Sequence, residues 1–211
     1  MKYPIDPTHQ YCSAHSSPNS PLLERIEKNT FLYTIDPFNY SGHLQGRILA
    51  MFSKMIQPKR ILEVGTFTGY ATVCLAEGLA DDGTLLSIEI NPEIEFLNKN
   101  HIEASPQAEQ IELMIGDAFE IMPTLETGFD LIFLDGAKRQ YEDYYEEGIR
   151  LLRSGGYLVV DNVLWKGKII AGDQDPRTRA MEEFNILVLH DERVENVVLP
   201  LCDGMQIVRK R

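Results

Sequence analysis

Five short apolar runs, each followed by a helical stretch or a loop, constrain this chain more than any other feature. They read ILEV (61–64), LLSIEI (85–90), IELMIG (111–116), DLIFLD (130–135) and YLVVD (157–161). Runs of this length suit buried strands, while the residues between them repeat apolar positions with a helical period. That period predicts helices over Ala71–Leu79, Pro92–Glu103, Ala118–Met122 and Tyr141–Leu152, with Ser154-Gly155-Gly156 turning the chain into the fifth run. Strands alternating with helices require right-handed crossovers and a mostly parallel sheet. The chain ends differently. VENVVLPL and MQIVRKR flank Cys202-Asp203-Gly204, a hairpin signal that closes the sheet with an antiparallel pair at one edge. The expected fold is therefore an α/β, Rossmann-like, doubly wound sheet.

Ahead of the first run, Pro21–Lys28 and the repeat Leu44, Ile48, Leu49, Phe52, Met55 predict two helices, the second ended by Pro58, with residues 34–42 as a loop between them. Arg177–Leu189 gives one more helix. Residues 1–20, rich in Pro, Ser and His, read as weakly ordered or ordered against a partner. No linker marks a second domain, so residues 1–211 read as one domain with a distinct N-terminal segment over 1–30.

A net charge of −12 and no basic cluster beyond Arg209-Lys210-Arg211 disfavour a nucleic-acid surface and are compatible with a cationic ligand. Cys12, Cys74 and Cys202 are scattered and lack C-x-x-C spacing, which supports neither disulfides nor zinc. With no apolar leader and no run long enough to span a bilayer, the expected location is the cytoplasm.

In an open α/β sheet, ligands bind beyond the carboxyl ends of the strands. In RILEVGTFTGYA (60–71), Gly65 and Gly69 let the backbone approach a ligand ahead of a helix N-terminus. Glu63 would repel a pyrophosphate but not a cationic or hydroxyl-rich nucleotide, and Gly-x-x-x-Gly is not the dinucleotide fingerprint. Glu89, near the end of the second run, either bonds ribose hydroxyls or is an ordinary acid near a helix N-cap, and Asp117 either borders an adenine ring or caps the short helix that follows. Asp135 and Asp161-Asn162 end neighbouring runs. Two carboxylates and an amide oxygen there suit a hard divalent ion such as Mg²⁺, unless each acid merely caps the next turn. Lys138, three residues on, is either a proton acceptor whose pKa a metal depresses or a solvated cation. Trp165, the only tryptophan, walls an aromatic substrate or anchors its loop. Ser41 and His43 fall at the cofactor mouth, Ser41 toward the cofactor and His43 toward substrate or in a structural hydrogen bond.

Taken in order, ILEVGTFTGYAT, LLSIEIN, FDLIFLDGAK, GGYLVVDNVLWKG and LPLCDGMQIVRKR resemble the metal-dependent small-molecule O-methyltransferases, which include catechol and caffeoyl-CoA O-methyltransferases and bacterial relatives. The resemblance covers roughly residues 30–211. It implies a seven-stranded methyltransferase fold that binds S-adenosylmethionine, with Glu63 and Gly65 in the first cofactor motif, Glu89 on the ribose and Ala118 beside the adenine. It further implies Asp135, Asp161 and Asn162 as ligands of Mg²⁺ (or Mn²⁺ or Ca²⁺), Lys138 as general base, Trp165 at the substrate, a small phenolic acceptor, and a homodimer. Ala71 stands where plant members often carry serine, and residues 173–179 differ from the plant coenzyme-A ester enzymes. The rival readings are a nicotinamide-dependent oxidoreductase, disfavoured by the missing fingerprint and by the lack of Tyr-x-x-x-Lys, and a non-catalytic cofactor-binding protein.

Overall fold

The computed structural model describes residues 7–211. The elements are α1 (Pro7–Ala14), α2 (Pro21–Tyr33), α3 (Gly42–Ile56), β1 (Arg60–Val64), α4 (Tyr70–Ala76), β2 (Thr84–Glu89), α5 (Glu95–Glu103), β3 (Ile111–Ile115), α6 (Ala118–Ile121), β4 (Phe129–Leu134), α7 (Tyr141–Leu151), β5 (Leu152–Asp161), α8 (Lys168–Ala171), α9 (Pro176–His190), β6 (Val194–Leu199) and β7 (Met205–Lys210). The strands form one seven-stranded sheet in the order β3-β2-β1-β4-β5-β7-β6, parallel except where β7 pairs antiparallel with β5 and β6.

Strand parity builds a core on each face. Along β4, Leu131 and Phe133 join Ile61, Leu49 of α3 and Leu75 of α4, whereas Ile132 and Leu134 join Leu62, Tyr145 of α7 and Phe184 of α9. All four β4 side chains are fully buried, each stabilising by about 1.5–3 kcal/mol relative to an exposed position. A second helical layer lies outside α3 and α4, where Leu23 and Ile26 of α2 meet Ala50, Tyr70 and Val73.

Chain order reverses between β1 and β4, which opens a crevice above their carboxyl ends. The register Leu134↔Val160 carries the next residues, Asp135 and Asp161, to neighbouring positions on that rim.

Two features differ from the sequence reading. Ser154-Gly155-Gly156 lies inside β5, because the strand begins at Leu152 and absorbs the extra residues as an irregularity between the pairs Phe129↔Leu152 and Leu131↔Tyr157. The terminal hairpin closes one edge of the sheet with an antiparallel pair, as expected, and β7 is the strand that lies between β5 and β6. Residues 7–14 form a helix on α3, held where Ser13 Oγ meets His43 Nδ1 at 2.7 Å; the reading made for residues 1–6 lies outside the described residues. The short α8 carried no sequence signal.

Helix α3 and the chain after α4 touch backbone to backbone. A Cβ built on Gly78 would lie 2.2 Å from Lys54 N and 2.2 Å from Ser53 C, while Ser53 Oγ donates to Leu75 O at 2.6 Å. We expect Gly78→Ala to lower unfolding stability by roughly 1–3 kcal/mol in urea titration. An unchanged midpoint would mean that the two segments are not in contact.

Candidate active site

A cavity of about 950 Å³ lies above the carboxyl ends of the parallel strands. Of the residues singled out from sequence, Ser41, Gly65, Glu89, Ala118, Asp135, Lys138, Asp161, Asn162 and Trp165 all line it.

On the β1–β2 side the wall is built from backbone. Gly65 has φ +100°, and a Cβ there would stand 2.7 Å from the Asp135 carbonyl oxygen, so only glycine lets the ends of β1 and β4 close on each other. Its N–H donates to Ile88 O at 2.9 Å. Glu89 accepts from Phe67 N–H at 2.7 Å and from Asn91 N–H at 2.9 Å, which fixes the carboxylate at the rim. Burial raises its pKa against the pull of those N–H groups.

On the β4–β5 side the wall is ionic. Asp161 is almost fully buried and accepts from Gln45 Nε2 at 2.8 Å and from Asn162 N–H at 2.7 Å. Burial first, then the charge of Asp135, pushes its pKa up to about 7. Lys138 Nζ donates to Asp135 Oδ1, and Tyr141 O–H donates to Asp161 O at 3.0 Å beneath them. Burial alone would depress Lys138, but the neighbouring carboxylates of Asp135 and Asp161 outweigh it and hold the group as an ammonium.

Five expected site residues stand off the cavity wall. Glu63 is fully buried and receives the hydroxyls of Thr72 and Ser87, the latter also meeting Thr66. It supports the glycine turn from below. Gly69 (φ +82°) precedes α4 and bonds back to Thr66 O, and Ala71 packs in the core with Leu49, Ile61 and Leu75. Asp117 caps α6 through Phe119 N–H at 2.9 Å, the alternative its sequence left open. His43 has both ring nitrogens occupied, by Ser13 Oγ and by Ser17 O, each at 2.7 Å, and so ties α1 to α3 instead of facing substrate.

Sequence reasoning missed Gln45 and Tyr141, which brace Asp161 from α3 and α7, and Thr8, His9 and Cys12 of α1, which complete the wall. Gln45 and Tyr141 lie on ordinary amphipathic helices, and nothing in their spacing marks them.

A profile of the O-methyltransferase family matches residues 13–211. The chain is 33% identical over 178 residues to caffeoyl-CoA O-methyltransferase 1 of Eucalyptus globulus, covering 79% of this chain and 72% of that one. It is 31% identical over 173 residues to a catechol O-methyltransferase of Niastella koreensis, covering 77% and 78%. Among solved structures, an SAH-bound Podospora anserina methyltransferase superposes with a TM-score of 0.89 at 26% identity, over 97% of this chain and 94% of that one. An O-methyltransferase from Bacillus cereus in complex with SAH gives 0.87 at 25% identity, over 96% of each. The chain belongs to the O-methyltransferase family and is an enzyme of that class. No helix among the described residues is long and apolar enough to cross a membrane.

Glu63 generates a pH prediction. Burial, opposed by the Ser87 and Thr72 hydroxyls and reinforced by Asp135 and Glu89, pushes its pKa up to about 7. An acid whose folded pKa lies above its unfolded value binds more protons when folded, so its contribution to stability is present at low pH and lost as pH rises from about 4.5 to about 7. Glu63→Gln should flatten the fall in melting temperature of the ligand-free protein between pH 5 and pH 8. Parallel wild-type and variant curves would assign that fall to other groups.

Proposed function

We propose that this enzyme transfers a methyl group from S-adenosylmethionine to a hydroxyl of a small aromatic vicinal diol, with a divalent cation at the rim of β4 and β5. One observation carries the reading: Asp135, Asp161, Asn162 and Lys138 open onto the same cavity as Gly65 and Glu89. The donor half has the chemistry of a nucleoside site. Glu89 presents carboxylate lone pairs to ribose hydroxyls, Gly65 and Phe67 present backbone, and Gly116 and Ala118 leave room for a flat base.

The cation fits the other half. Asp161 and Asp135 are like charges on adjacent strand tips, and burial raises the cost of keeping both ionised. Two carboxylates plus the Asn162 amide make an all-oxygen set suited to Mg²⁺, Mn²⁺ or Ca²⁺ retaining several waters. Asp135, Asp161 and Asn162 would hold it; when bound, it supplies a Lewis acid that favours an ionised phenol. The donor supplies a methyl group on a sulfonium.

The chain's own residues do the rest. Gln45 and Tyr141 fix Asp161, so the two carboxylates keep their spacing when a ligand enters. Trp165, Phe38 and Tyr40 give the cavity aromatic walls for a flat acceptor. Lys138 would take the hydroxyl proton at Nζ where its ion pair with Asp135 is relieved, because that carboxylate holds it protonated. Most of the remaining acceleration is positional. The names of the catechol and caffeoyl-CoA relatives support this acceptor class. We further propose a cytoplasmic homodimer in which residues 1–211 act as one domain; the exposed Leu32, Ile35, Met51 and Met55 support an interface. The match to the O-methyltransferase family weighs against a nicotinamide-dependent or non-catalytic role.

With catechol as acceptor, EDTA should abolish methyl transfer and Mg²⁺ or Mn²⁺ should restore it; turnover unaffected by chelation would remove the metal. Lys138→Ala should lower kcat on the order of a hundredfold or more while leaving the S-adenosylhomocysteine Kd within about twofold. An equal loss in both would make the lysine structural.

A further inference from the structure

The loop that carries Asn162 and Trp165 is held in an unfavourable backbone conformation. Asn162, Trp165 and Lys166 have φ of 62°, 50° and 59°, in the left-handed region where a side chain crowds its own carbonyl. Three such residues within five positions persist only where the surroundings over-determine them. The surroundings here are the turn between β6 and β7. Val163 N–H donates to Gly204 O at 3.1 Å and Leu164 N–H to Asp203 O at 2.8 Å. Lys166 N–H donates to the Asp203 carboxylate. Gly204 (φ +84°) allows this approach, since a Cβ there would lie 2.4 Å from Leu164 Cγ and 2.8 Å from Leu164 N. On the other side, Asn185 Nδ2 of α9 donates to Val163 O at 2.9 Å.

Asp203 is only 8% exposed and borders the cavity on the same side as Trp165. A hydrogen bond from a backbone N–H to a carboxylate is roughly twice as strong as its neutral counterpart. This one acts at Lys166, the second of two consecutive left-handed residues. The donor side of the cavity, built on the ends of β1, β2 and β3, makes none of these contacts.

We propose that Asp203 is the positioning residue of the acceptor site. Its carboxylate, acting through Lys166 N–H with Gly204 allowing the close approach, sets the loop that presents Asn162 and Trp165 to the cavity. The proposal rests on the reading of Trp165 as an acceptor wall. It assigns the Asp-Gly of the terminal hairpin a second task besides turning the chain.

Trp165 is the only tryptophan, so intrinsic fluorescence reports on this loop directly. In the full chain, Asp203→Ala should shift Trp165 emission to the red and increase its quenching by acrylamide. It should also raise the KM for catechol roughly tenfold, with the S-adenosylhomocysteine Kd held within about twofold. Asp203→Asn keeps an oxygen that accepts from Lys166 N–H and should return fluorescence and KM most of the way to wild type. If Asp203→Ala does not fold, Asp203→Ser carries the same comparison. Unchanged quenching would overturn the proposal, as would an asparagine variant as impaired as the alanine one, which would mean that the charge acts on the ligand itself. Parallel loss of S-adenosylhomocysteine affinity would reduce the effect to general damage. Should the wild type methylate no catechol, the acceptor reading fails, while the fluorescence comparison still decides whether Asp203 sets the loop.

Discussion

The architecture turns on a seam between the carboxyl ends of β1 and β4. Asp135 N–H donates to Val64 O at 2.9 Å, Gly65 N–H donates to Ile88 O at 2.9 Å, and the absence of a Cβ at Gly65 lets the two strand ends close. Those contacts bind three strands at the point where the winding reverses. The wall built from backbone lies on one side of the seam and the ionic wall on the other. Their separation is therefore a backbone property, set by sheet register before any side chain contributes. A bulky residue at 65 would push apart the two half-sites that a transfer reaction must hold together.

The ionic wall is the expensive part of the structure. Asp161 is buried beside a like charge, and the chain offsets this locally with the Lys138 ammonium, the Gln45 amide and the Asn162 N–H. Such an arrangement makes poor use of core volume if stability were the only demand, since apolar residues of similar size would serve as well. Its persistence at the strand tips is intelligible if the two acids hold something positive. Tyr141, buried beneath them with its hydroxyl on the Asp161 carbonyl, belongs to the core under α7, so the site is anchored in that core.

Much of this was legible in the sequence, for identifiable reasons. Strand-end residues such as Glu89, Asp135 and Asp161 interrupt apolar runs, and the topology of alternating strands and helices sends their ends to one rim. The seven-stranded fold followed from the same alternation together with the family resemblance. Gln45 was invisible because a helix contributes it across 116 residues of sequence. The insertion of β7 between β5 and β6 was invisible for a related reason: a hairpin signal fixes which strands adjoin through the turn, not which of the two meets the sheet. The left-handed residues 165 and 166 were hidden too, because Trp and Lys carry no turn signature and their conformation is imposed by residues 203 and 204.

Glu63 and Glu89 show how finely position divides labour among residues of one type. Both are acids near the ends of adjacent parallel strands, and both were read as cofactor ligands. Glu63 lies one residue inside β1, where its register partner is Ser87 of β2, and strand alternation turns it toward α4 and the Thr72 hydroxyl. Glu89 is the last residue of β2, beyond the point where β1 still pairs with it, so its carboxylate reaches the rim and is caught by Phe67 N–H. Two residues of register separate a carboxylate that braces the glycine turn from one available to a ligand. Sequence spacing places both acids at the correct end of the sheet; how far each stands from the rim is decided by pairing register.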